Sequence, residues 1–143
     1  MAARNTTEVF DLVSTDPVYF SPRDDVTLPC HLSPETNAVA MEIRWFKWRE
    51  CIYLYRSGHV IEGRGYEGRV SVDPQQLQRG DVSLTLRESR KADWGQYICQ
   101  VIRGEDKKEG YIELLNRRYG KYIPERSCCM YFFRREGGYR VVS

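Results

Sequence analysis

Two cysteines, 69 residues apart and each on the apolar face of an alternating segment, constrain the fold of this chain more than any other feature. Cys30 lies in residues 26–32 and Cys99 in residues 97–102, where apolar side chains recur at every second position. Trp45 follows Cys30 by 15 residues and lies on the apolar face of a third such segment. Because this alternation is typical of a half-buried β-strand, all three side chains are predicted to point into a core.

The rest of the chain alternates in the same way over many short segments. Further strands are predicted at residues 41–46, 51–55, 82–86 and 111–115. Gly58 can supply the positive φ of a hairpin turn, and Pro29, which has no N–H, must face a sheet edge or a bulge. Only residues 74–78 and 88–93 are suited to a short helical turn. Short strands with turns about every 8–12 residues predict an all-β sandwich or barrel of antiparallel strands.

Charge divides the chain into two parts. The 143 residues are 41% hydrophobic, enough for one domain with its own core, and a net charge of +2 gives no general case for nucleic-acid binding. Residues 117–143 hold seven basic and two acidic side chains, which leaves residues 1–116 with a net charge of −3. We therefore expect a domain over residues 8–116 and a basic, cysteine-containing tail over residues 117–143. No apolar run reaches the roughly 18 residues of a membrane span, and the N-terminus lacks the apolar core of a signal peptide.

Neither catalysis nor metal binding is indicated. The two histidines, His31 and His59, are not ordered with a serine or cysteine as in a nucleophilic site. The sequence has no cysteine or histidine pairs at zinc-ligand spacing, and the adjacent Cys128 and Cys129 are poor zinc ligands. We therefore expect no enzyme activity, no metal and no cofactor. The five cysteines leave at least one thiol free, or bridged to another chain, if the protein is oxidised.

A short motif around the second cysteine carries a resemblance to a known family. The motif Asp-x-Gly-x-Tyr-x-Cys spans residues 93–99 and is similar to that of the immunoglobulin V-set family. Cys30, Trp45 and Arg69 complete the family's pattern. The resemblance implies a variable-type immunoglobulin sandwich of two antiparallel sheets with a disulfide between Cys30 and Cys99. Trp45 would pack on this disulfide.

The same resemblance implies further structural roles. The hydroxyl of Tyr97 would tie down the corner that precedes its strand. Arg69 would pair with Asp93 across the lower end of the domain, where a bidentate contact between guanidinium and carboxylate suits the role. Between Trp45 and Arg69 there is room for the two extra strands of the variable type.

Within the V-set family the sequence resembles the group of butyrophilins and myelin-oligodendrocyte glycoprotein. The matching segments are residues 10–13, 26–34, 43–46, 53–58 and 66–70. This resemblance implies the ectodomain of a cell-surface protein that binds a counter-receptor and modulates T-cell activation and cytokine production. It implies an extracellular position at the plasma membrane, with membrane attachment only through segments outside this chain, and no nucleic-acid partner.

The resemblance also implies where a partner binds, because V-set domains usually use the outer surface of the sheet that contains strands C, C′, F and G. The outward side chains of this sheet are predicted to be Arg44, Phe46, Tyr53, Tyr55, Ile98, Gln100 and Ile102. Aromatic and apolar side chains at this density are typical of an interface. The charged loop over residues 103–110 is expected to tune specificity and association rate. Asn5 begins an Asn-Thr-Thr sequon and is a candidate glycosylation site.

Other functions stay open at this level. The same face would serve a homophilic adhesion or myelin-type module that self-associates, and a soluble decoy made by splicing also fits the sequence. An antigen-receptor domain is disfavoured because residues 111–115 lack the Phe-Gly-x-Gly signature of joining segments. Cys51 lies on a predicted strand where an apolar or neutral residue is expected, and its pairing with Cys128 or Cys129 stays open.

Overall fold

The computed structural model describes residues 9–117, 132–134 and 140–142. The strands are β1 (Asp11–Ser14), β2 (Val18–Phe20), β3 (Val26–Leu28), β4 (Cys30–Ser33), β5 (Glu42–Lys47), β6 (Glu50–Arg56), β7 (His59–Glu62), β8 (Val70–Ser71), β9 (Leu84–Leu86), β10 (Gly95–Arg103), β11 (Asp106–Asn116), β12 (Phe132–Arg134) and β13 (Arg140–Val142). Helix α1 covers Pro74–Leu77 and a 3-10 turn covers Lys91–Asp93, both inside the segments predicted for helical turns. The side chain of Asp73 caps α1 by accepting a hydrogen bond from the N–H of Gln75.

The strands form the two layers of a sandwich. The first layer is a six-stranded sheet in the order β2-β11-β10-β5-β6-β7, and the second combines the sheet β3-β9-β8 with the pair β1-β4. The predicted all-β sandwich is therefore confirmed. One pairing differs from the expected antiparallel pattern, since β2 runs parallel to β11. The reason is that the chain pairs with the second layer at β1 and then crosses to the edge of the first layer at β2.

The strand predicted over residues 26–32 is interrupted at Pro29. Before the proline, β3 pairs with β9, and after it, β4 pairs with β1. Proline has no N–H to donate to a ladder, so the strand changes partner at this residue. The predicted hairpin is confirmed, because Ser57 and Gly58 both have positive φ in the turn between β6 and β7.

The core lies between the layers and contains the residues that the sequence pattern singled out. Cys30, Trp45, Tyr97 and Cys99 are all fully buried. The other largest buried side chains are Phe10, Phe20, Leu28, Leu32, Ile43, Ile52, Leu77, Leu84, Leu86 and Ile112. The indole N–H of Trp45 donates a 3.0 Å hydrogen bond to the carbonyl oxygen of Val82, which fixes the ring between the layers.

Beyond the sandwich, β12 and β13 pair with each other in antiparallel fashion. The division of the chain into residues 8–116 and 117–143 stays a prediction. Asn5, Cys128 and Cys129 lie outside the described residues. In the described part of the chain, no helix is both long enough and apolar enough to cross a membrane.

Candidate partner-binding face

The outer surface of β10, β5 and β6 is the candidate site, and the strand register shows which side chains it presents. Ile98 lies opposite Phe46, and Gln100 lies opposite Arg44. Ile102 also alternates outward, whereas the residues between these positions on β10 are buried in the core. The structure therefore places these five predicted residues on one surface, which we call the outer face.

Tyr53 and Tyr55 were predicted on this surface, and their placement is wrong. Both point into the core, with 3% and 7% of their surface exposed. The cause is a bulge, because Tyr53 lies opposite Trp45 whereas Cys51 lies opposite the next residue, Phe46. The extra residue, Ile52, shifts the alternation by one position and turns both tyrosines inward.

The buried tyrosines have structural partners. The hydroxyl of Tyr55 donates a 2.7 Å hydrogen bond to the carbonyl oxygen of Val39. Burial raises the pKa of the Tyr53 phenol. Both tyrosines therefore belong to the core and not to the surface that a partner could contact.

The bulge places other side chains on the outer face that the sequence pattern missed. Leu54, which lies opposite Arg44, is half-buried and occupies the position expected for a tyrosine. It lies opposite Ile61 of the edge strand β7, and 62% of the surface of Ile61 is exposed. On the other side, Tyr111 lies opposite Ile98 and is exposed. The alternation of Tyr111 with buried Ile112 was a usable signal, whereas finding Leu54 required knowledge of the bulge.

A group of three charged side chains borders the apolar part of the outer face. Arg44 Nε donates to Glu42 Oε2 at 2.5 Å, and Arg56 Nε donates to Glu42 Oε1 at 3.0 Å. The hydrogen bond from Arg56 is the largest cause of the lowered pKa of Glu42, and Arg44 adds to it. These three charges are already paired with one another within the chain. Their desolvation by a binding partner therefore costs less free energy than the desolvation of isolated charges.

A second polar group lies on the opposite side of Gln100. The amide of Gln100 donates to one carboxylate oxygen of Glu109 at 2.7 Å, and the hydroxyl of Tyr111 donates to the other at 2.9 Å. These two hydrogen bonds lower the pKa of Glu109, and the bond to Glu109 raises the pKa of Tyr111. Gln100 itself is only 7% exposed, which corrects its prediction as an open contact residue. It lies at the centre of the sheet and is held beneath Glu109 and Arg44.

The loop predicted over residues 103–110 is much shorter in the structure. Strand β10 continues to Arg103 and β11 begins at Asp106, so only Gly104 and Glu105 connect them. Gly104 has a φ of +60°, which lets the chain reverse in two residues. The charged side chains of residues 107–109 are therefore held on a strand beside the outer face.

Below the outer face, Arg69 and Asp93 pair through one guanidinium nitrogen and not through the expected bidentate contact, because Arg69 Nε donates to the carbonyl oxygen of Arg87. Arg69 Nη2 lies 2.5 Å from Asp93 Oδ2, and both side chains are buried. The hydroxyl of Tyr97 donates a 2.6 Å hydrogen bond to the carbonyl oxygen of Asp93, and burial raises the pKa of this phenol strongly. Together these bonds fix the turn before β10, the strand that carries Ile98 and Ile102.

Cys30 and Cys99 are buried neighbours across the two layers. Cys30 lies on β4 and Cys99 on β10, and both side chains point into the core. Burial is the first cause of the raised pKa of Cys99, and Cys30 adds to it. The chain passes close by at Gly110, where an added Cβ would lie 3.3 Å from the sulfur of Cys30. The disulfide between them stays a prediction.

Cys51 and the remaining metal-binding residue types complete the survey. Cys51 is exposed on β6 opposite Phe46, and its thiol bonds to the carbonyl oxygen of Tyr53 at 3.5 Å. In the part of the chain that the structure describes, no three side chains of His, Cys, Asp or Glu come together as metal ligands.

Known proteins share this sequence pattern. A family model for the immunoglobulin V-set domain matches residues 15–115. Butyrophilin subfamily 1 member A1 of Bos taurus is 32% identical over 111 residues, which cover 73% of this chain and 21% of that protein. Myelin-oligodendrocyte glycoprotein of Macaca fascicularis is 33% identical over 96 residues, which cover 64% of this chain and 39% of that protein. The chain thus spans well under half the length of these relatives.

Solved structures agree with the family model. The crystal structure of bovine butyrophilin matches with a TM-score of 0.70 and 31% identity, over 75% of this chain and 54% of that one. The IgV-like domain of human B7-H4 matches with a TM-score of 0.67 and 20% identity, over 75% and 96%, which shows likeness in fold alone. A V-set domain of this kind is a binding module and not an enzyme. The chain belongs to the immunoglobulin V-set family, and its sequence is similar to butyrophilins and myelin-oligodendrocyte glycoprotein.

Proposed function

We propose that this chain is the extracellular recognition domain of a cell-surface protein, and that its outer face binds a protein counter-receptor and so modulates T-cell activation and cytokine production. Membership of the V-set family and similarity to butyrophilins support a role in recognition. The observation that carries the proposal is the apolar strip across the outer face. Phe46, Ile98 and Leu54 lie on adjacent strands of this face without full burial.

The chemistry of the outer face suits a protein partner. Side chains such as Phe46 and Ile102 are half-buried and surrounded by packed neighbours, so they present apolar surface in a fixed geometry. The charged groups around Glu42 and Glu109 lie at the border of this surface, where a hydrated rim is usual in interfaces. Apolar side chains on both sides of Arg44 and Gln100, with further charged groups around them, favour a protein surface over a small ligand.

Substitution of the outer face tests the proposal directly. The full chain, labelled with a fluorophore, is added to activated T cells, and cell-bound label and cytokine release are measured. The variant Phe46→Asp/Ile102→Asp places two charges in the apolar strip, and we expect at least about a tenfold loss of binding. The matched control is Val13→Asp, an exposed apolar residue of β1 in the other layer, which we expect to bind as wild type does. Equal binding by all three proteins, with intact folding, would contradict the proposal.

A homophilic function is the second candidate, and the edge strand β7 favours it. This strand ends the six-stranded sheet, and Val60 and Ile61 on it are exposed. An unpaired edge with apolar side chains is a template for another strand. Sedimentation of the purified chain at rising concentration separates the two candidates. A self-associating module forms dimers that Ile61→Lys disrupts, whereas a counter-receptor domain stays monomeric alone.

A further inference from the structure

Two tryptophans form an exposed aromatic pair at the end of the sandwich where β5 ends and β10 begins. Trp48 follows β5 and Trp94 precedes β10, and 52% and 55% of their surfaces are exposed. Their ring centroids lie 6.2 Å apart with planes at 83°, an edge-to-face contact. Such rings are costly to leave in water, so this Trp pair needs an explanation that neither the core nor the outer face supplies.

The backbone holds the Trp pair in place. The N–H of Trp48 donates a 3.0 Å hydrogen bond to the carbonyl oxygen of Gln96, and Trp48 has a φ of +56°. Its ring lies over Gly95, where an added Cβ would approach the indole to 3.1 Å. The ammonium of Lys47 also donates to the carbonyl oxygen of Ala92 at 2.5 Å, which ties the two turns together. The pair is therefore a built feature of this end of the fold.

Four basic side chains lie on the two turns that carry the Trp pair. Arg49, Arg90 and Lys91 are exposed on the two turns that carry the tryptophans. Lys47 adds a further cation, and burial lowers its pKa. Exposed acids lie here too, with Glu50 on the first turn and Asp24, Asp25 and Glu88 beside the second, whereas the carboxylate of Asp93 is buried. The Trp pair and these cations together form what we call the tryptophan end.

Strand β11 ends close to the tryptophan end. Gly95, next to Trp94, lies opposite Leu114, and β11 ends two residues later at Asn116. The two-residue turn between β10 and β11 lies at the far end of the nine-residue strand β10, about 26 Å away at the usual rise per residue. A surface that holds the tryptophan end would leave that turn free.

We propose that the tryptophan end binds the headgroup layer of a phospholipid membrane. Indole rings prefer the boundary between hydrocarbon and water, and exposed lysine and arginine side chains match the charge of lipid phosphates. A second copy of this chain is a poorer fit, because a symmetric contact would bring the basic groups of both copies together. This proposal does not depend on the outer face, and it gives the domain an upright orientation on a cell surface.

Vesicle binding tests the proposal. The full chain is mixed with vesicles of phosphatidylcholine and with vesicles of equimolar phosphatidylcholine and phosphatidylserine, and the bound fraction is measured by flotation. We expect binding to both and tighter binding to the second. The variant Trp48→Asn/Trp94→Ser changes no charge, and asparagine tolerates the positive φ at position 48. We expect it to reduce the partition coefficient by about tenfold or more.

A matched control and a second readout separate this outcome from others. The control Val60→Ser/Ile61→Ser removes exposed apolar surface from β7 and is expected to bind vesicles as wild type does. Brominated lipids should quench the emission of the wild-type chain more than that of the Trp pair variant, in which only buried Trp45 remains.

Equal vesicle binding with and without the Trp pair would overturn the proposal and assign binding to basic charge alone. Loss of self-association in the variant, with no vesicle binding by the wild type, would also overturn it. Ile102→Ser changes no charge and lies at the opposite end of β10 from Trp94, so it should leave vesicle binding unchanged, and failure of the receptor proposal is a separate result.

Discussion

Arg69 and Asp93 form a buried ion pair, with 2.5 Å between Nη2 and Oδ2, that joins the start of β8 to the turn before β10. The carboxylate also accepts a 2.7 Å hydrogen bond from the N–H of Arg90. The carbonyl oxygen of the same Asp93 accepts the hydroxyl of Tyr97 at 2.6 Å. The buried carboxylate and carbonyl oxygen of Asp93 are therefore both hydrogen-bonded, and removing one donor would leave a buried polar atom without that partner.

Removing the cation of this pair should destabilise the domain severely. Arg69→Ala leaves the carboxylate of Asp93 buried without its counter-charge, and we expect a loss of about 3–5 kcal/mol in the free energy of unfolding. Urea unfolding followed by tryptophan emission measures it. The control is Lys108→Ala at the exposed pair with Asp11, where the distance is 3.5 Å, and we expect less than about 1 kcal/mol there. Similar losses for the two variants would show that Arg69 is not needed to balance a buried charge.

Glu42 gives the outer face an acid-sensitive contribution to stability. The hydrogen bond from Arg56, followed by contacts with Arg44, holds the pKa of Glu42 below its usual value of 4.5. Because the folded pKa is lower than the unfolded one, the contribution is present above the unfolded pKa and is lost as pH falls through the folded pKa. We expect Glu42→Gln to be less stable than wild type at neutral pH, with a difference that shrinks to zero in acid. Urea unfolding at a series of falling pH values measures this.

The role of Arg56 in this shift can be measured separately. Arg56→Ala should raise the pKa of Glu42 towards its usual value, as read from the carboxyl carbon shift in an NMR titration. Arg79→Ala removes an exposed arginine just after α1 and should leave the titration of Glu42 unchanged. If Arg79→Ala moves the pKa as far as Arg56→Ala does, the general charge of the domain would account for the shift.

The bulge at Ile52 makes adjacent residues of β6 respond very differently to substitution. Tyr53 is buried opposite Trp45, so Tyr53→Ser opens a cavity, and we expect it to cost about 3–5 kcal/mol. Leu54 is half-buried on the outer face, so Leu54→Ser should cost about 1 kcal/mol or less. Thermal and urea unfolding compare the two. A larger loss for Leu54→Ser would mean that β6 keeps the regular alternation.

This bulge also marks the limit of what the sequence could predict. Alternation located the strands and placed Cys30, Trp45 and Cys99 in the core, because burial of one strand face leaves a period of two in the sequence. A bulge changes that period by a single residue, and nothing in the residue types of β6 marks Ile52 as the extra one. Tyr53 and Tyr55 were therefore assigned to the wrong face.

Other misplaced features have the same kind of cause, since they depend on contacts between distant segments. The charged residues after Glu105 have the composition of a loop, but pairing with β10 holds them in a strand. The Trp pair joins residues on two separate turns, so neither tryptophan could be assigned a neighbour from local pattern alone. By contrast, the pair of Arg69 with Asp93 was implied by the family resemblance and is present in the structure.

A disulfide between Cys30 and Cys99 should form in the oxidised protein, because both are buried and the sulfur of Cys30 lies beside Gly110, the residue opposite Cys99. Closing a loop of this length is worth about 4 kcal/mol in the chain-entropy model, so reduction should lower the free energy of unfolding by about that much. Peptide mapping without reductant identifies the linkage, and unfolding with and without dithiothreitol measures its effect. Cys51→Ser, at an exposed position, should change neither result. Recovery of Cys30 and Cys99 as free thiols from the chain expressed through an oxidising secretory pathway would contradict the prediction.

Gly95 has a positive φ and also contacts the ring of Trp48, so its substitution should strain the backbone and displace that ring. Its φ of +143° is strained for any other residue, and an added Cβ would lie 3.1 Å from the ring of Trp48. We expect Gly95→Ala to cost about 1–3 kcal/mol and to change the tryptophan emission, because the ring must move. Gly104 is the matched control, with a φ of +60° and open space around an added Cβ. Gly104→Ala should lower the free energy of unfolding by about 1 kcal/mol and leave the tryptophan emission unchanged. If Gly95→Ala has the same emission as wild type, the indole of Trp48 does not rest on Gly95. A separate result, weaker vesicle binding by Gly95→Ala than by Gly104→Ala, would connect this backbone position to the surface that we assign to lipid.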